Sequence, residues 1–362
     1  MNKNELLQRK AQLEKDISKY KNLQLAKKVQ LNSAYGALGN KYFRWFDVRQ
    51  AESITLSGQL SIKWIEKCIN EYMNNLLKTD DVDYVIASDT DSLYIRFEGL
   101  VDKVLPDASD DKIVTFLDKV AREQIEPFID KSYQELAEMM NAYEQKMFMK
   151  REAIANKGIW TAKKRYILNV YDNEGVRYSE PKLKMMGIEA VKSSTPASCR
   201  DSIKKALSII MNGTETDVQN YINEFRNEFS KMSFEDVAFP RGVSDISSYD
   251  SKQAEFTLMS RTPIHVRGSL IYNHLIKKHN LQKKYELIKD GEKVKFCYLI
   301  SPNPTKQNVL SVLNALPKEF DLDKYIDYDL QFNKAFLEPL RIILDSIGWS
   351  SEKRQTLEGF FS

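Results

Sequence analysis

Apolar positions recur at helical steps in the first part of the chain and in alternating runs later. Over residues 3–30, Leu6, Leu13, Ile17 and Tyr20 lie at helical spacing in an otherwise polar stretch, which predicts a polar helix. Around Asn32–Asn40 the pattern changes to small residues, Ala34, Gly36, Ala37 and Gly39. Over residues 48–77, Ala51, Ile54, Gly58, Ile62, Ile65, Ile69, Tyr72 and Leu76 fall at three- and four-residue steps. They predict a second long helix with one apolar face. Residues 84–87 and 93–97 are short β-type runs flanking Asp89-Thr90-Asp91-Ser92, a β-hairpin pattern. Helices are predicted over 110–126 and 128–142, separated by Pro127.

Residues 145–187 read as strands, with a hairpin turn at Asp172-Asn173-Glu174-Gly175. Thr195 and Pro196 suit an N-cap and a first turn, and Gly213 suits the end of the helix they open. The last 150 or so residues mix helices and short strands, without repeats or a low-complexity linker. Helices combined with hairpin-built, antiparallel sheet predict an α+β fold.

Length and composition add breadth rather than direction. A chain of 362 residues can hold two or three domains with their own cores. The net charge is only +3, but it is unevenly spread. Residues 1–50 carry 11 Lys and Arg against 4 Asp and Glu, and residues 151–210 carry 12 against 6. Between them, residues 80–140 carry 16 acidic against 6 basic side chains. Basic blocks around an acidic centre suit a protein that holds a polyanion near a metal site; solvated helix faces give the same tally. Cys68, Cys199 and Cys297 are far apart and form no C-x-x-C pair, so neither a zinc site nor a disulfide framework is supported. A reducing, cytoplasmic compartment fits that usage. No apolar signal core follows Met1, and no apolar run approaches a membrane span.

The strongest chemical signal is the acidic turn. Asp89 and Asp91 are hard oxygen ligands suited to Mg²⁺, and a hairpin fixes them at a sheet edge. Such a pair can serve two-metal phosphoryl transfer. In isolation the tetrad is also an ordinary polar turn, which Asp and Ser favour. Upstream, Lys28, Asn32 and Tyr35 are spaced i, i+4, i+7 and share a helix face, with Gly36 beside them.

Read together, Lys28-x3-Asn32-Ser33-x-Tyr35-Gly36, Asp89-Thr90-Asp91-Ser92 and Lys163-Lys164-Arg165-Tyr166 resemble, in order and separation, signatures of the family B DNA polymerases. Ser193–Pro196 and Pro263–Gly268 make the chain look most similar to the T-even phage type. The resemblance implies part of the fingers over 1–40, a palm over 41–190 and a mostly helical thumb over 191–362, ending in a clamp-binding tail.

It further implies that Lys28, Asn32, Tyr35 and Gly36 bind the incoming dNTP, and that Asp91 and Asp89 hold two Mg²⁺ ions with Glu152 as an accessory acid. Lys163, Lys164, Arg165, Tyr166, Lys192 and Arg267 would hold primer–template DNA, with Lys164 and Lys192 reading minor-groove acceptors. Leu357, Phe360 and Phe361 resemble a sliding-clamp peptide, although Arg354 stands where such peptides carry glutamine. Ala87-Ser88 replaces the family's frequent Tyr-Gly before the acidic turn.

Three family parts have no counterpart in the sequence: the D-x-x-S-L-Y-P-type segment with the first palm aspartate, the acidic motifs of a proofreading exonuclease, and the basic residues of the first fingers helix. The expectation is therefore a carboxy-terminal polymerase subunit or fragment that needs an amino-terminal partner, from a split gene or a truncation. If phage-borne, it would act in the bacterial cytoplasm, with no membrane. The alternatives are a non-catalytic DNA-binding remnant that keeps duplex and clamp contacts, and a two-metal nuclease.

Overall fold

The computed structural model describes residues 2–249, 258–259 and 261–353. It has two compact units, residues 1–151 and 152–362. Helices with antiparallel sheets make it an α+β protein.

The first unit begins with α1, Lys3–Leu38, opened by Asn2 in a reciprocal capping box with Glu5. The helix runs on through the small residues Ala34, Gly36 and Ala37 and stops at Gly39. It buries none of its side chains: Leu6, Leu13, Ile17, Tyr20, Leu31 and Tyr35 all stay exposed. Helix α2, Val48–Leu77, has the bounds the apolar stripe predicts and is capped by Asp47. It buries Ile65, Ile69, Met73 and Leu77. This face packs against Tyr84, Val85, Leu100, Val120, Ile125, Ile129, Tyr133 and Leu136 in one core.

Strands β1, Val85–Asp89, and β2, Ser92–Ile95, form the expected hairpin. A short α3, Glu98–Val104, leads to α4, Asp110–Val120, and α5, Glu126–Met139. Pro127 does not separate these two helices as expected. A π turn over Ala121–Ile125 joins them, and the Glu126 N–H donates to the Ala121 carbonyl. The wider turn accommodates a residue that lacks an N–H and would crowd the preceding turn of an α-helix. The second unit repeats the arrangement, with a π turn at Asn333–Leu337 before Glu338-Pro339.

The second unit opens with a meander of β3, Ala153–Ala162, β4, Arg165–Asn173, and β5, Val176–Met186. The segment expected as palm, 41–190, is thus divided between the two units. The β4–β5 turn, Glu174-Gly175, has φ of 51° and 84°, the left-handed pair that a tight hairpin needs. Helix α6 spans Ala197–Asn212; its N-cap is Pro196 rather than Thr195, and no side chain caps it.

Helix α7, Glu215–Phe229, follows a Thr214–Asp217 capping box. The short α8, Phe234–Val237, and α9, Ile246–Tyr249, flank β6, Phe239–Gly242. Helix α10, Ile264–Lys278, packs on a sheet of β6, β7 (Lys293–Tyr298) and β8 (Val309–Val312). A β-carbon on Gly268 would collide with Ser311, so glycine is what lets helix and strand meet there. Helices α11, Tyr328–Phe332, and α12, Glu338–Ser346, complete a core in which Phe225, Phe229, Phe332 and Phe336 are essentially fully buried. Among the described residues no helix is long and apolar enough to cross a membrane.

Candidate active site and basic turn

The acidic hairpin is positioned by α2. Asn70 accepts from the backbone N–H groups of Tyr84 and Val85, at 2.8 and 3.0 Å. Its amide donates to Asp83. One turn on, Asn74 donates to the Val82 carbonyl and accepts from the Val82 N–H, at 2.8 and 3.0 Å. Two side-chain amides at i, i+4 thus satisfy the strand's entry, while Tyr84 and Val85 are buried against the same helix. Neither asparagine stood out in the sequence. The available signal was two amides on the side of an apolar stripe, just upstream of a strand.

At the tip, Asp89 pairs with Ser92 and the turn is Thr90-Asp91. Thr90 has φ of 56°, and the Asp91 N–H donates to the Asp89 carbonyl at 2.6 Å. A β-branched residue in that region costs about 1–2 kcal/mol, held here by the surrounding bonds. Thr90 Oγ1 donates to the Asp89 carboxylate at 2.9 Å, and Ser92 Oγ to the Asp89 carbonyl at 3.1 Å. Ser88 Oγ donates to Glu66 on α2 at 3.2 Å.

Asp91 is exposed and Asp89 half-buried. Among the described residues no group of three or more His, Cys, Asp and Glu is placed to hold a metal. The donor set nevertheless fits a hard divalent cation, which binds through one or two carboxylates and completes its shell with water or substrate phosphates. Glu152 belongs to the second unit, where it pairs with Lys184. Lys28, Asn32, Tyr35 and Gly36 lie on the exposed surface of α1.

The basic signature lies at the β3–β4 turn. Lys163 and Lys164 form the turn, both exposed, with Lys164 at φ of 60°. Tyr166 is buried, its ring 6.2 Å from Trp160. Arg165 turns inward and donates two bonds to Glu189, at 3.0 and 2.8 Å. Lys192 donates to the same carboxylate at 2.8 Å. Burial pushes the Glu189 carboxyl upward, but the bonds from Arg165 and Lys192 outweigh it and hold it below the ordinary range.

Gly187, at φ of 65°, lets this segment approach the turn, since a β-carbon there would collide with the Lys164 carbonyl oxygen. Sequence reading selected the cations and missed Glu189 and Gly187, because the Arg165–Glu189 pair joins residues 24 apart; the one local signal was Glu189 three residues before Lys192. In the later basic stretch, Arg267 is half-buried, with its Nε unbonded among the described residues. Lys284 is paired with Glu319, whose carboxyl Lys284 and Tyr285 help draw down to about 2. Leu357, Phe360 and Phe361 lie outside the described residues.

Residues 1–109 match the family model described as DNA polymerase family B. The chain is 36% identical over 352 residues to the DNA-directed DNA polymerase of Enterobacteria phage T4, and 38% identical over 353 residues to that of Escherichia phage RB69. Each match takes in 93% of this chain and 38% of the phage enzyme, so the chain spans under two-fifths of the relatives' length. The chain belongs to DNA polymerase family B, as a stretch similar to the carboxy-terminal portion of these phage enzymes.

Proposed function

We propose that this chain serves template-directed DNA synthesis, supplying part of the nucleotidyl-transfer site and the surface that holds the product duplex. The observation that carries the reading is the Asp89–Asp91 hairpin, pinned to α2 within the segment that matches the family B model. Asp91 would be the main carboxylate by which this chain holds the metal ions, with Asp89 beside it as a weaker ligand. Two Mg²⁺ ions bound there would supply the Lewis acidity that activates the primer 3′-hydroxyl and stabilises the leaving oxygen. Lys28 neutralises the triphosphate of the incoming dNTP. Asn32 and Tyr35 share its helix face and support the nascent pair, and Gly36 leaves room for the base. Lys163 and Lys164 meet the primer–template behind the site. Such contacts are salt-dependent and indifferent to sequence.

In this reading, residues 1–40 belong to the fingers, 41–190 to the palm and 191–362 to the thumb. The tail residues Leu357, Phe360 and Phe361 dock on a sliding clamp. Two carboxylates do not complete a two-metal site, so a further aspartate comes from amino-terminal polymerase sequence, here assigned to a partner polypeptide that also carries the exonuclease. The bare α1 supports such a partner. Leu6, Leu13, Ile17, Tyr20 and Leu31 stand 45–74% exposed on one helix, the kind of apolar surface that another protein segment covers. Primer extension by the chain alone, and by the chain with a polypeptide matching the amino-terminal part of its relatives, tests the assignment. Extension only with the partner is expected; robust extension by the chain alone would overturn the two-polypeptide reading.

A further inference from the structure

The cationic turn carries an internal counter-ion. Arg165 and Glu189 form a two-bond pair, and Lys192 reaches the same carboxylate. The side chains of Arg165 and Glu189 are 23% and 20% exposed, and that of Lys192 is 40% exposed. A planar, bidentate guanidinium–carboxylate pair is already satisfied. A DNA phosphate drawing Arg165 away would leave a largely covered carboxylate with one partner fewer. Gly187, with φ of 65° and no β-carbon, lets the Glu189 segment lie against the Lys164 backbone.

We infer that Glu189 is a positioning residue that keeps Arg165 and Lys192 within the protein's own ion network, so that neither exchanges counter-ions with the DNA backbone. The inference rests on the duplex-holding role proposed above and refines it. Arg165 shapes the turn instead of gripping phosphate. Lys192 is held in a fixed direction, available to a neutral acceptor on a base edge. Lys163, exposed at the turn, is the cation that meets phosphate.

The test is the salt dependence of primer–template binding by the full chain. The slope of log affinity against log salt counts neutralised phosphates, at about 0.9 per contact on duplex DNA. Lys163→Ala is expected to make the slope shallower by about 1, and Arg165→Ala to leave it unchanged. Glu189→Gln should steepen it by about 1 to 2 by releasing both cations. Glu189→Asp, which keeps the charge, should stay at the wild-type slope. So should Glu180→Gln, which makes the same charge change at an exposed position of β5.

A shallower slope for Arg165→Ala, or a Glu189→Gln slope no steeper than that of Glu180→Gln, overturns the inference. Should Glu189→Gln fail to fold, Arg165→Lys replaces it. That variant keeps the charge but loses the two-bond fork, so its slope should steepen, and an unchanged slope refutes the inference. If the chain binds no duplex, or Lys163→Ala leaves the slope unchanged, the duplex-holding reading itself fails. A wild-type response at Lys163 with a lost one at Glu189 overturns only the positioning role.

Discussion

Gly187→Ala isolates the contact on which the Lys163-Lys164 turn depends. Two penalties arise there. Left-handed backbone costs an L-residue with a β-carbon about 1–2 kcal/mol. The new methyl would also press into the Lys164 carbonyl oxygen and lie 3.1 Å from Arg165 Cγ. Making room requires the turn or the Glu189 segment to shift, an overpacking cost of about 1–3 kcal/mol. Together the change should destabilise the second unit by about 2–5 kcal/mol.

Gly175→Ala provides the comparison. Its φ is 84°, but a β-carbon there meets nothing within 4 Å, so only the backbone penalty applies. Urea unfolding followed by tryptophan fluorescence should rank wild type above Gly175→Ala and that above Gly187→Ala. The two variants should differ by about half a molar or more in midpoint. Gly187→Ala should also bind primer–template more weakly, because Lys163 and Lys164 move with the strained peptide. If Gly187→Ala is no less stable than Gly175→Ala, the close approach is not real and the support assigned to the turn fails.

Phe336→Ala should cost about 3–5 kcal/mol, read from the urea midpoint, because its ring is fully buried 4.8 Å from Phe225 and 5.2 Å from Phe332. Asp118 is buried, which alone would raise its carboxyl, but the bonds from Arg122 and Arg151 outweigh that and lower it. A lowered folded-state value gives stability that is present at neutral pH and lost as the pH falls. The advantage of wild type over Asp118→Asn should therefore shrink once the pH drops below the ordinary 3.8, as unfolding curves at several pH values would show. Burial pushes the Cys199 thiol up to about 12, so mass spectrometry after alkylation at pH 8 should find Cys199 unmodified in the folded chain and modified in urea.

The sequence was most legible where local pattern and tertiary environment agree. The stripe marks α2 because Ile65 and Ile69 form its buried face with Met73 and Leu77, and Ile62 packs beside them, whereas Ile54 and Leu76, which the spacing put on the same face, stay exposed. The hairpin at Asp89–Ser92 was legible because its flanking runs are β-type and its tip is polar. Pro127 misled because a proline's effect depends on the turn before it, and a π turn removes the conflict. On α1 the apolar residues are spread around the helix rather than gathered into one stripe as on α2, and among the described residues none of them is buried. Glu189 was missed for another reason. Its role arises only when β5 brings it beside Arg165, and no local spacing encodes that meeting.

Asp91 is proposed above to belong to the nucleotidyl-transfer site. That role is tested most directly by primer extension with Asp91→Asn in the chain reconstituted with amino-terminal polymerase sequence, with duplex binding measured on the same samples. Extension should fall to background while duplex affinity stays at the wild-type level. Undiminished extension by Asp91→Asn would contradict that role.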